Sequence, residues 1–378
     1  MILARRSTST NHWISSWRRR CWPNAFWRSN MAEIASIPIG PYRIGPEHPP
    51  LVIAEAAVNH QGDFETAKRM VYIAHAMGAH IIKFQIHVLD NEMLRETPQS
   101  ANFAEPLYVT LDKTNLTVDQ HRELKRLCES LGILYLCTPF SRVGADILED
   151  LGVAAYKTGS GELTNLPLIE HIGRKGKPMI VSTGMCTIDE VGETVALLRQ
   201  LKTPFALTHC VSAYPTPYDR VNLGMIARYR DLFHVPVGLS DHSRGIYTGI
   251  GAAALGACVI EKHFTLDRQQ PGPDHPVSIE PDELSDLVKG VDAVFRARGA
   301  EREIFPEERE IVAWARESVV SEVPIARGSV ITKDMVWVKR PSPGPGAVAA
   351  KDLGKVIGKV AQVDIPKDSQ IRWEQLNA

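Results

Sequence analysis

Residues 236–264 read PVGLSDHSRGIYTGIGAAALGACVIEKHF. Two short apolar runs in this stretch end in polar residues, at Ser240-Asp241-His242 and at Glu261-Lys262-His263, and a helix-like segment joins them. The same strand–helix unit occurs eight times between residues 51 and 263. Eight such units predict an α/β fold, a closed (β/α)8 TIM barrel of parallel strands. The predicted strands are 51–57, 80–85, 133–138, 154–158, 178–182, 205–210, 236–240 and 258–263.

Local signals support this division. Capping boxes at Thr117 and Thr187 open two of the connecting helices, and a glycine stands before several strands, as at Gly132 and Gly256. The 86–116 insert after the second strand is long enough to predict a loop over the active site. Pro281 opens the eighth helix, which is predicted to run to about residue 298.

Four segments follow from these patterns. Residues 1–39 form an N-terminal extension, 40–299 the barrel, 300–318 a charged linker and 319–378 a small β-rich domain. In the last segment, IARGSVIT at 325–332 resembles IPKDSQIR at 365–372, which indicates a pseudo-repeat. Residues 1–30 contain six Arg and no Asp or Glu. Met31 is the favoured natural start, rather than an organelle transit peptide before it, and we expect residues 1–30 to be dispensable.

Composition excludes several classes of protein. The net charge of the whole chain is −1, and without its Arg-rich start the chain is acidic, which argues against nucleic-acid binding. No apolar run is long enough to span a membrane or to serve as a secretory signal. The six Cys form no CxxC pair, which predicts free thiols in a reducing cytoplasm and no zinc cluster.

The ends of the barrel strands converge on one face, so the residues there are the candidate catalytic set. His242 and His263 end neighbouring strands and could share one divalent ion with positions open for water and substrate. Two unrelated polar residues are the alternative; the nearby Asp241 and Glu261 favour a metal site, because carboxylates orient ligand imidazoles. Glu55 is a candidate general base, an ion-pair partner of Lys83, or both.

A second group of strand-end residues suits an anion. Lys83 and Lys157 end two strands, and hydroxyl groups end four. Converging on one mouth, these cations and donors would bind a highly charged anion such as a phosphate ester. Asp274, in a Pro-Gly-Pro-Asp loop, could meet a substrate hydroxyl. The hydroxyl-bearing residues are Thr138, Ser160, Ser182 and Ser240.

From about residue 40 to the C-terminus, the chain resembles the N-acetylneuraminate (sialic acid) synthase family. The motifs, in order, are AEAAVNHQG, KFQ, CTPF, YKTGSGELTNLPL, IVSTGM, HCVSAYPTP, VGLSDHS, GACVIEKHFTLD and PGPDH. The family motif AEIGVNHNG reads AEAAVNHQG here, with alanines at 56 and 57 and Gln61 in place of Asn.

The resemblance implies a reaction and a set of site residues. The family joins phosphoenolpyruvate to an N-acetylated amino sugar in a (β/α)8 barrel followed by an antifreeze-like SAF domain, and it uses Mn²⁺ or a similar ion, Mg²⁺ or Co²⁺ being possible. It implies that Glu55, Lys157 and Glu261 are catalytic and that His242 and His263 bind the metal. The implied substrate-binding residues are Lys83, Gln85, Thr138, Ser160, Ser182, Tyr214, Ser240, Asp274 and Arg340.

Arg340 of the VKRP motif would reach the sugar from the partner subunit of a domain-swapped homodimer. The GSGE run and the PGPD loop favour sialic acid or legionaminic acid synthesis over pseudaminic acid synthesis, and the sequence does not separate the first two. Rival interpretations are a Schiff-base aldolase using Lys157, another phosphoenolpyruvate-condensing enzyme, and a carbohydrate- or ice-binding protein with a decayed barrel.

Overall fold

The computed structural model describes residues 34–97, 105–299 and 302–377. The chain divides into two compact units, Met1–Gly299 and Ala300–Ala378. The predictions for residues 1–30, including the start at Met31, lie outside the described residues. Within the described residues, no helix is both long and apolar enough to cross a membrane.

The first unit contains a two-stranded hairpin and an eight-stranded parallel sheet. The hairpin strands are β1 (Ile37–Ile39) and β2 (Tyr42–Ile44). The strands of the large sheet are β3 (Leu51–Glu55), β4 (Ile81–Ile86), β5 (Leu134–Pro139), β6 (Tyr156–Thr158), β7 (Met179–Ser182), β8 (Phe205–Cys210), β9 (Val237–Asp241) and β10 (Val259–His263). Each of these eight overlaps one predicted strand, with ends that differ by at most two residues.

Helices follow the barrel strands along the chain. They are α1 (Phe64–Ala76), α2 (Leu107–Thr114), α3 (Val118–Leu131), α4 (Arg142–Asp150), α5 (Leu166–Gly173), α6 (Ile188–Leu201), α7 (Gly224–Phe233), α8 (Tyr247–Ala254) and α9 (Pro281–Ala297). The capping boxes at Thr117 and Thr187 are both formed, with reciprocal side-chain and backbone hydrogen bonds to Gln120 and Glu190.

The sheet closes almost completely into a barrel. Its strand order is β5-β4-β3-β10-β9-β8-β7-β6, and every ladder along it is parallel. In the β3–β10 ladder, Glu55 is opposite His263, and in the β3–β4 ladder it is opposite Lys83. Three of the predicted functional residues therefore lie at one height on three adjacent strands. The TIM-barrel prediction is confirmed.

The hairpin β1–β2 covers the N-terminal end of the barrel. Ile37, Ile39 and Ile44 pack with residues near the starts of the strands, including Leu51 and Cys258. The predicted N-terminal extension, residues 1–39, therefore ends too late, because β1 belongs to the barrel unit. Its strands are too short to stand out in a sequence, and only burial against the barrel end stabilises so small a hairpin.

The loop after β3 contains two non-glycine residues in the left-handed region of backbone space. Ala57 has φ 44° and Gln61 has φ 52°. At these two positions, the family that the chain resembles has Gly and Asn, the residues that adopt positive φ most readily. Two of the three departures in this motif, at 57 and 61, therefore introduce backbone strain without changing the charge of the loop.

We expect Gln61→Asn to raise the free energy of unfolding by roughly 0.5 kcal/mol, because Asn tolerates this conformation better than Gln. The exposed Gln200, inside α6, is the matched control. There Gln→Asn should be neutral or slightly destabilising, since Asn is the poorer helix former. Urea unfolding of both variants checks this, and equal effects at the two positions would contradict it.

The second unit is small and rich in short β-segments. Its elements are α10 (Glu308–Ala315), β11 (Ser318–Ser321), β12 (Val336–Lys339) and α11 (Leu353–Val356). The pseudo-repeat is visible in its hydrogen bonds: Ile325 and Ile365 exchange N–H···O bonds of 2.9 and 2.8 Å. Gly328 and Asp368, forty residues apart, both have positive φ. The two halves of this unit thus pair about a local two-fold axis.

Candidate active site

A cavity of ≈ 650 Å³ opens at the C-terminal ends of the barrel strands. Thirteen of the fourteen residues implied by the family motifs line it; Arg340 lies in the second unit. Side chains alternate between the two faces of a strand, so the last inward-pointing residue of each strand faces this cavity. The thirteen are Glu55, Lys83, Gln85, Thr138, Lys157, Ser160, Ser182, Tyr214, Ser240, His242, Glu261, His263 and Asp274.

Lys83 lies between two buried carboxylates. Its Nζ is 3.0 Å from Glu261 Oε1 and 3.3 Å from Glu55 Oε2, and it donates to Thr138 Oγ1 at 3.3 Å. The ion pair between Glu55 and Lys83, one of the sequence alternatives, is therefore present. Ser240 also donates to Glu261 Oε1, at 3.2 Å. Five strands thus contribute polar groups to one buried cluster.

Lys157 is the second buried cation of the cavity, and only 1% of it is exposed. Its Nζ donates to Ser182 Oγ at 2.6 Å and to the Thr158 carbonyl at 2.9 Å, and it lies 3.7 Å from Glu261 Oε2. Burial lowers the pKa of Lys157. Glu261 is thus the shared counter-charge of Lys83 and Lys157.

The two carboxylates differ in electrostatic environment. Burial raises the pKa of Glu55 to about 7, in spite of the attraction of Lys83. Burial acts in the same direction on Glu261, but Lys157 and Lys83 outweigh it and lower the pKa of Glu261 to about 2. Two carboxyl groups whose pKa values differ in this way can take different roles. Glu55 can exchange a proton near neutral pH, whereas Glu261 keeps its charge.

His242 and His263 face each other, with ring centroids 5.3 Å apart, and the Tyr214 ring stacks on His242 at 4.1 Å. His242 Nδ1 lies 2.9 Å from the Val211 carbonyl, which can only accept, so Nδ1 donates, and in the neutral ring Nε2 has the free lone pair. Burial acts to lower the pKa of His242, but Cys210 outweighs it and raises that pKa. Burial lowers the pKa of His263 well below its usual value, and this keeps its ring neutral, the form that binds metals.

These residues fit a divalent ion with open coordination positions. His263 Nδ1 is buried without a hydrogen-bond partner, and the nearest carboxylate oxygen, on Asp274, is 3.9 Å away. Burial raises the pKa of Asp274 to about 6. No group of three His, Cys, Asp or Glu in the described part of the chain is arranged to hold a metal. The protein would therefore supply two imidazoles, and water and substrate the other ligands.

Asp241 does not orient an imidazole, and that part of the metal-site interpretation was wrong. Its carboxylate is on the outer side of the barrel wall, where it accepts from Lys262 at 2.8 Å, from Thr248 at 2.6 Å and from the Ser243 N–H at 2.9 Å. The period of two explains this: His242 and His263 face the cavity, so Asp241 and Lys262 face away from it.

Several cavity residues were not selected from the sequence. His87 and Glu92 come from the 86–116 insert, and Glu162 belongs to the quoted GSGE run. Burial raises the pKa of Glu162 to about 7. His87 could have been found, because it lies two positions beyond Gln85, on the same side of an extended strand. Other lining residues missed in this way include Phe140, Asn165, Met185, Cys210 and Ser212.

A family model described as the NeuB family matches residues 70–303, more than half of the chain, and a SAF-domain model matches residues 316–377. The chain belongs to the NeuB family. Human N-acetylneuraminate-9-phosphate synthase is 36% identical over 338 residues, which are 88% of this chain and 94% of the human protein. The N,N'-diacetyllegionaminic acid synthase of Legionella pneumophila is 35% identical over 340 residues, 86% of this chain and 94% of that protein.

A solved structure agrees with this assignment. The N-acetylneuraminic acid (sialic acid) synthetase of Leptospira borgpetersenii serovar Hardjo-bovis, crystallised with citrate, superimposes with a TM-score of 0.67 at 32% identity. The match covers 74% of this chain and 95% of that chain. The NeuB relatives thus include both sialic acid and legionaminic acid synthases, and the family resemblance inferred from the motifs is confirmed, together with the SAF domain.

Proposed function

We propose that this NeuB-family chain condenses phosphoenolpyruvate with N-acetylmannosamine, or a related 2-acetamido sugar, to give a nonulosonic acid and phosphate. The observation that carries the proposal is the cluster around Glu261, where two buried lysines and several hydroxyl groups meet at the cavity floor. A phosphate ester with a carboxylate supplies the negative charge that such a cluster binds. The human and Legionella relatives support the same reaction class.

In this proposal, Lys83, Lys157 and the hydroxyl groups of Thr138, Ser182 and Ser240 hold phosphoenolpyruvate. Ser160 Oγ accepts from the Gly184 N–H at 3.0 Å. A Cβ at position 184 would lie 2.6 Å from Ser160 Oγ and 2.4 Å from Ser212 Oγ. Gly184 therefore leaves room beside these hydroxyl groups, as a phosphate would need.

His242 and His263 would hold the divalent ion, Mn²⁺ in our proposal. The site would thereby supply a Lewis acid for the aldehyde oxygen of the open-chain sugar. Tyr214, Gln85 and Asp274 lie on the cavity wall and would orient the sugar chain. The cavity is large enough for both substrates, in the range of small-molecule sites.

The chemistry follows from this placement. The methylene carbon of phosphoenolpyruvate attacks the aldehyde carbon. The π electrons of the aldehyde C=O bond pass to its oxygen, which takes up a proton to become a hydroxyl, and positive charge is left at the phosphate-bearing carbon. Glu55 directs a water to that carbon and takes its proton, a role that suits a carboxyl group with a pKa of about 7. The tetrahedral intermediate then collapses with C–O cleavage, so phosphate leaves with the ester oxygen. Glu261 stays charged and pairs with both lysines.

The test is phosphate release from phosphoenolpyruvate with a panel of acceptors. The panel holds N-acetylmannosamine, its 6-phosphate and 2,4-diacetamido-2,4,6-trideoxymannose, with the products identified by mass spectrometry. Fastest turnover with the diacetamido sugar would favour the alternative, a legionaminic acid synthase. Borohydride trapping of a pyruvate adduct on Lys157 would instead indicate an aldolase. No phosphate release with any acceptor would refute the proposal.

Removal of metal is expected to abolish turnover. Exhaustive EDTA treatment should reduce phosphate release to background, and added Mn²⁺ should restore it, because the ion held by His242 and His263 would be needed to activate the aldehyde. His242→Ala and His263→Ala should each weaken Mn²⁺ binding in calorimetry without changing the thermal unfolding of the apoprotein by more than a few degrees. Full activity after chelation would rule this site out.

Arg340 is proposed to act in the partner subunit of a domain-swapped homodimer. It lies in the SAF unit, where its guanidinium is 5.5 Å from the Trp314 ring centroid. An arginine fits the role because its planar fork pairs with sugar oxygens and its charge does not titrate. In a symmetric dimer the exchange is reciprocal, so each site uses one barrel and the other chain's Arg340.

Co-expression of Glu55→Ala with Arg340→Ala tests the exchange. Each variant alone should be inactive, whereas a mixed dimer contains one complete site. With random pairing, roughly half the dimers are mixed, so about a quarter of the activity should return. Mixed dimers that are isolated with two affinity tags and show no activity above the single variants would exclude the exchange.

A further inference from the structure

The catalytic carboxyl group Glu55 is the end of a partly buried chain of four side chains. Gln85 Nε2 donates to Glu55 Oε1 at 2.9 Å, and Gln85 Oε1 lies 3.2 Å from His87 Nε2. On its other side, His87 Nδ1 lies 2.9 Å from Glu92 Oε1 and 3.0 Å from Glu92 Oε2. We call this the Glu92–His87–Gln85–Glu55 relay. Its first two members come from the insert after β4.

The His87 ring has little freedom to move. It stacks on Phe140 with centroids 4.6 Å apart and planes at 13°, and only 6% of the residue is exposed. The Asn115 side chain donates to the His87 carbonyl at 2.7 Å and fixes the backbone as well. Glu92, whose side chain is 8% exposed, accepts from Nδ1 on the side of the ring opposite Gln85. Because the His87 ring is held on its face and at both nitrogens, it supports the Gln85 side chain rigidly.

The hydrogen bonds of the relay define which way the Gln85 amide points. A carboxylate only accepts, so Glu55 needs the amide NH₂ of Gln85, and the amide oxygen must then face His87. That oxygen also only accepts, so His87 Nε2 must carry a hydrogen. By the same rule, His87 Nδ1 carries a hydrogen that it donates to the carboxylate of Glu92, so the relay needs a ring with hydrogen on both nitrogens. Without this donor, the Gln85 amide could turn over and present its oxygen to Glu55, which would repel the carboxylate.

We propose that His87 is a positioning residue: held by Glu92, it fixes the Gln85 amide so that Gln85 donates to Glu55 and aims its carboxyl group at the reacting carbon. The inference rests on the proposed function, because it concerns the water-directing role of Glu55. Gln85 has a second amide hydrogen, which stays free for the sugar. The insert after β4 thus acts on catalysis through its support of Glu55.

Two substitutions separate this role from a structural one. In His87→Gln, the amide nitrogen reaches about as far as Nε2 and can still donate to Gln85, but the bond to Glu92 is lost. In His87→Asn, the shorter amide reaches about as far as Nδ1 and can still meet Glu92, but the donor to Gln85 is lost. If His87 only anchored the insert, its hydrogen bond to Glu92 would be the one that matters. In the proposed role, the hydrogen bond to Gln85 is the one that matters.

The expected result is a difference in kcat. His87→Gln should stay within about threefold of the unchanged protein, and His87→Asn should lose about tenfold or more, as supporting residues around active sites commonly do. The KM for phosphoenolpyruvate should change by less than about twofold in both, because the phosphate-binding residues are not part of the relay. Thermal unfolding of each variant confirms that it is folded. Equal losses, no loss, or the reverse order would overturn the proposal.

A spectroscopic measurement keeps the relay testable if no acceptor sugar gives turnover. Long-range ¹H–¹⁵N spectra of the histidine rings, with the His87 signal assigned from His87→Asn, report which ring nitrogens carry hydrogen. The relay predicts a hydrogen on Nε2 of His87. A bare Nε2 would overturn the relay whatever the enzyme's substrate. Failure of turnover in the unchanged protein would instead count against the proposed function alone.

Discussion

Replacing Lys262 with methionine is expected to lower the free energy of unfolding of the barrel by about 3–5 kcal/mol, as loss of one partner of a buried ion pair typically does. Lys262 and Asp241 are each about 1% exposed at the side chain, and their charged atoms are 2.8 Å apart. Lys262 also donates to the Ser243 carbonyl. Methionine fills a similar volume, so the loss comes from Asp241, which remains buried without its cation.

The pair also links the two strands that carry the candidate metal ligands. Lys262 and Asp241 are opposite each other in the β9–β10 ladder, and His242 and His263 follow them directly. The ion pair therefore fixes the outer side of the wall whose inner side would hold the metal. We expect Lys262→Met to weaken Mn²⁺ binding as well, measured by calorimetry on the apoprotein under conditions where the variant is fully folded.

Two comparisons make the stability prediction specific. The double variant Asp241→Asn/Lys262→Met should be more stable than Lys262→Met alone, because no uncompensated charge remains in the wall. Lys175→Met, which removes a partner of the surface carboxylate Asp146, should cost less than about 1 kcal/mol. Urea unfolding measures all three. If Lys262→Met unfolded at the same urea concentration as Lys175→Met, the buried pair would not contribute the predicted free energy of unfolding.

The barrel was predictable because its signal is repeated eight times. A strand–helix unit leaves the polar end of its strand at the same face each time, so the sequence alone placed Lys83, Lys157, His242 and His263 at one mouth. The alternation of side chains along a strand decides which residues near its end face the mouth. It brings His87 to the side of Gln85, and it turns Asp241, which lies between Ser240 and His242, away from the cavity. The eightfold repeat by itself does not distinguish the two sides.

Other features depend on contacts that distant segments make. The hairpin β1–β2 is defined by burial against the barrel end, and three-residue strands have no clear pattern of their own. Glu92 contributes to the site because the insert after β4 folds back on His87. Neither contact follows from local sequence. The pKa values of Glu55 and Glu261 likewise depend on their distances to the two lysines, which only the folded structure gives.

Replacing Lys157 with methionine is expected to raise the KM for phosphoenolpyruvate by about 10–100-fold, which corresponds to the ~1.5–3 kcal/mol of a charged hydrogen bond. Its Nζ is buried against Ser182 at the cavity floor and lies 3.7 Å from Glu261. With Lys157 gone, Glu261 keeps Lys83 at 3.0 Å and Ser240 at 3.2 Å, so the cluster stays paired. The loss should therefore appear in anion binding more than in stability.

Lys83→Met gives the contrasting result. Lys83 is the close partner of both Glu55 and Glu261, so its removal leaves two buried carboxylates facing each other and should destabilise the protein as well as weaken binding. Lys177, which pairs with Glu149 just before β7 begins, is the matched control for loss of one positive charge. Calorimetric titration with phosphoenolpyruvate, without sugar, measures affinity directly. Unchanged affinity in Lys157→Met, or an equal loss in Lys177→Met, would show that the Glu261 cluster is not the phosphoenolpyruvate site.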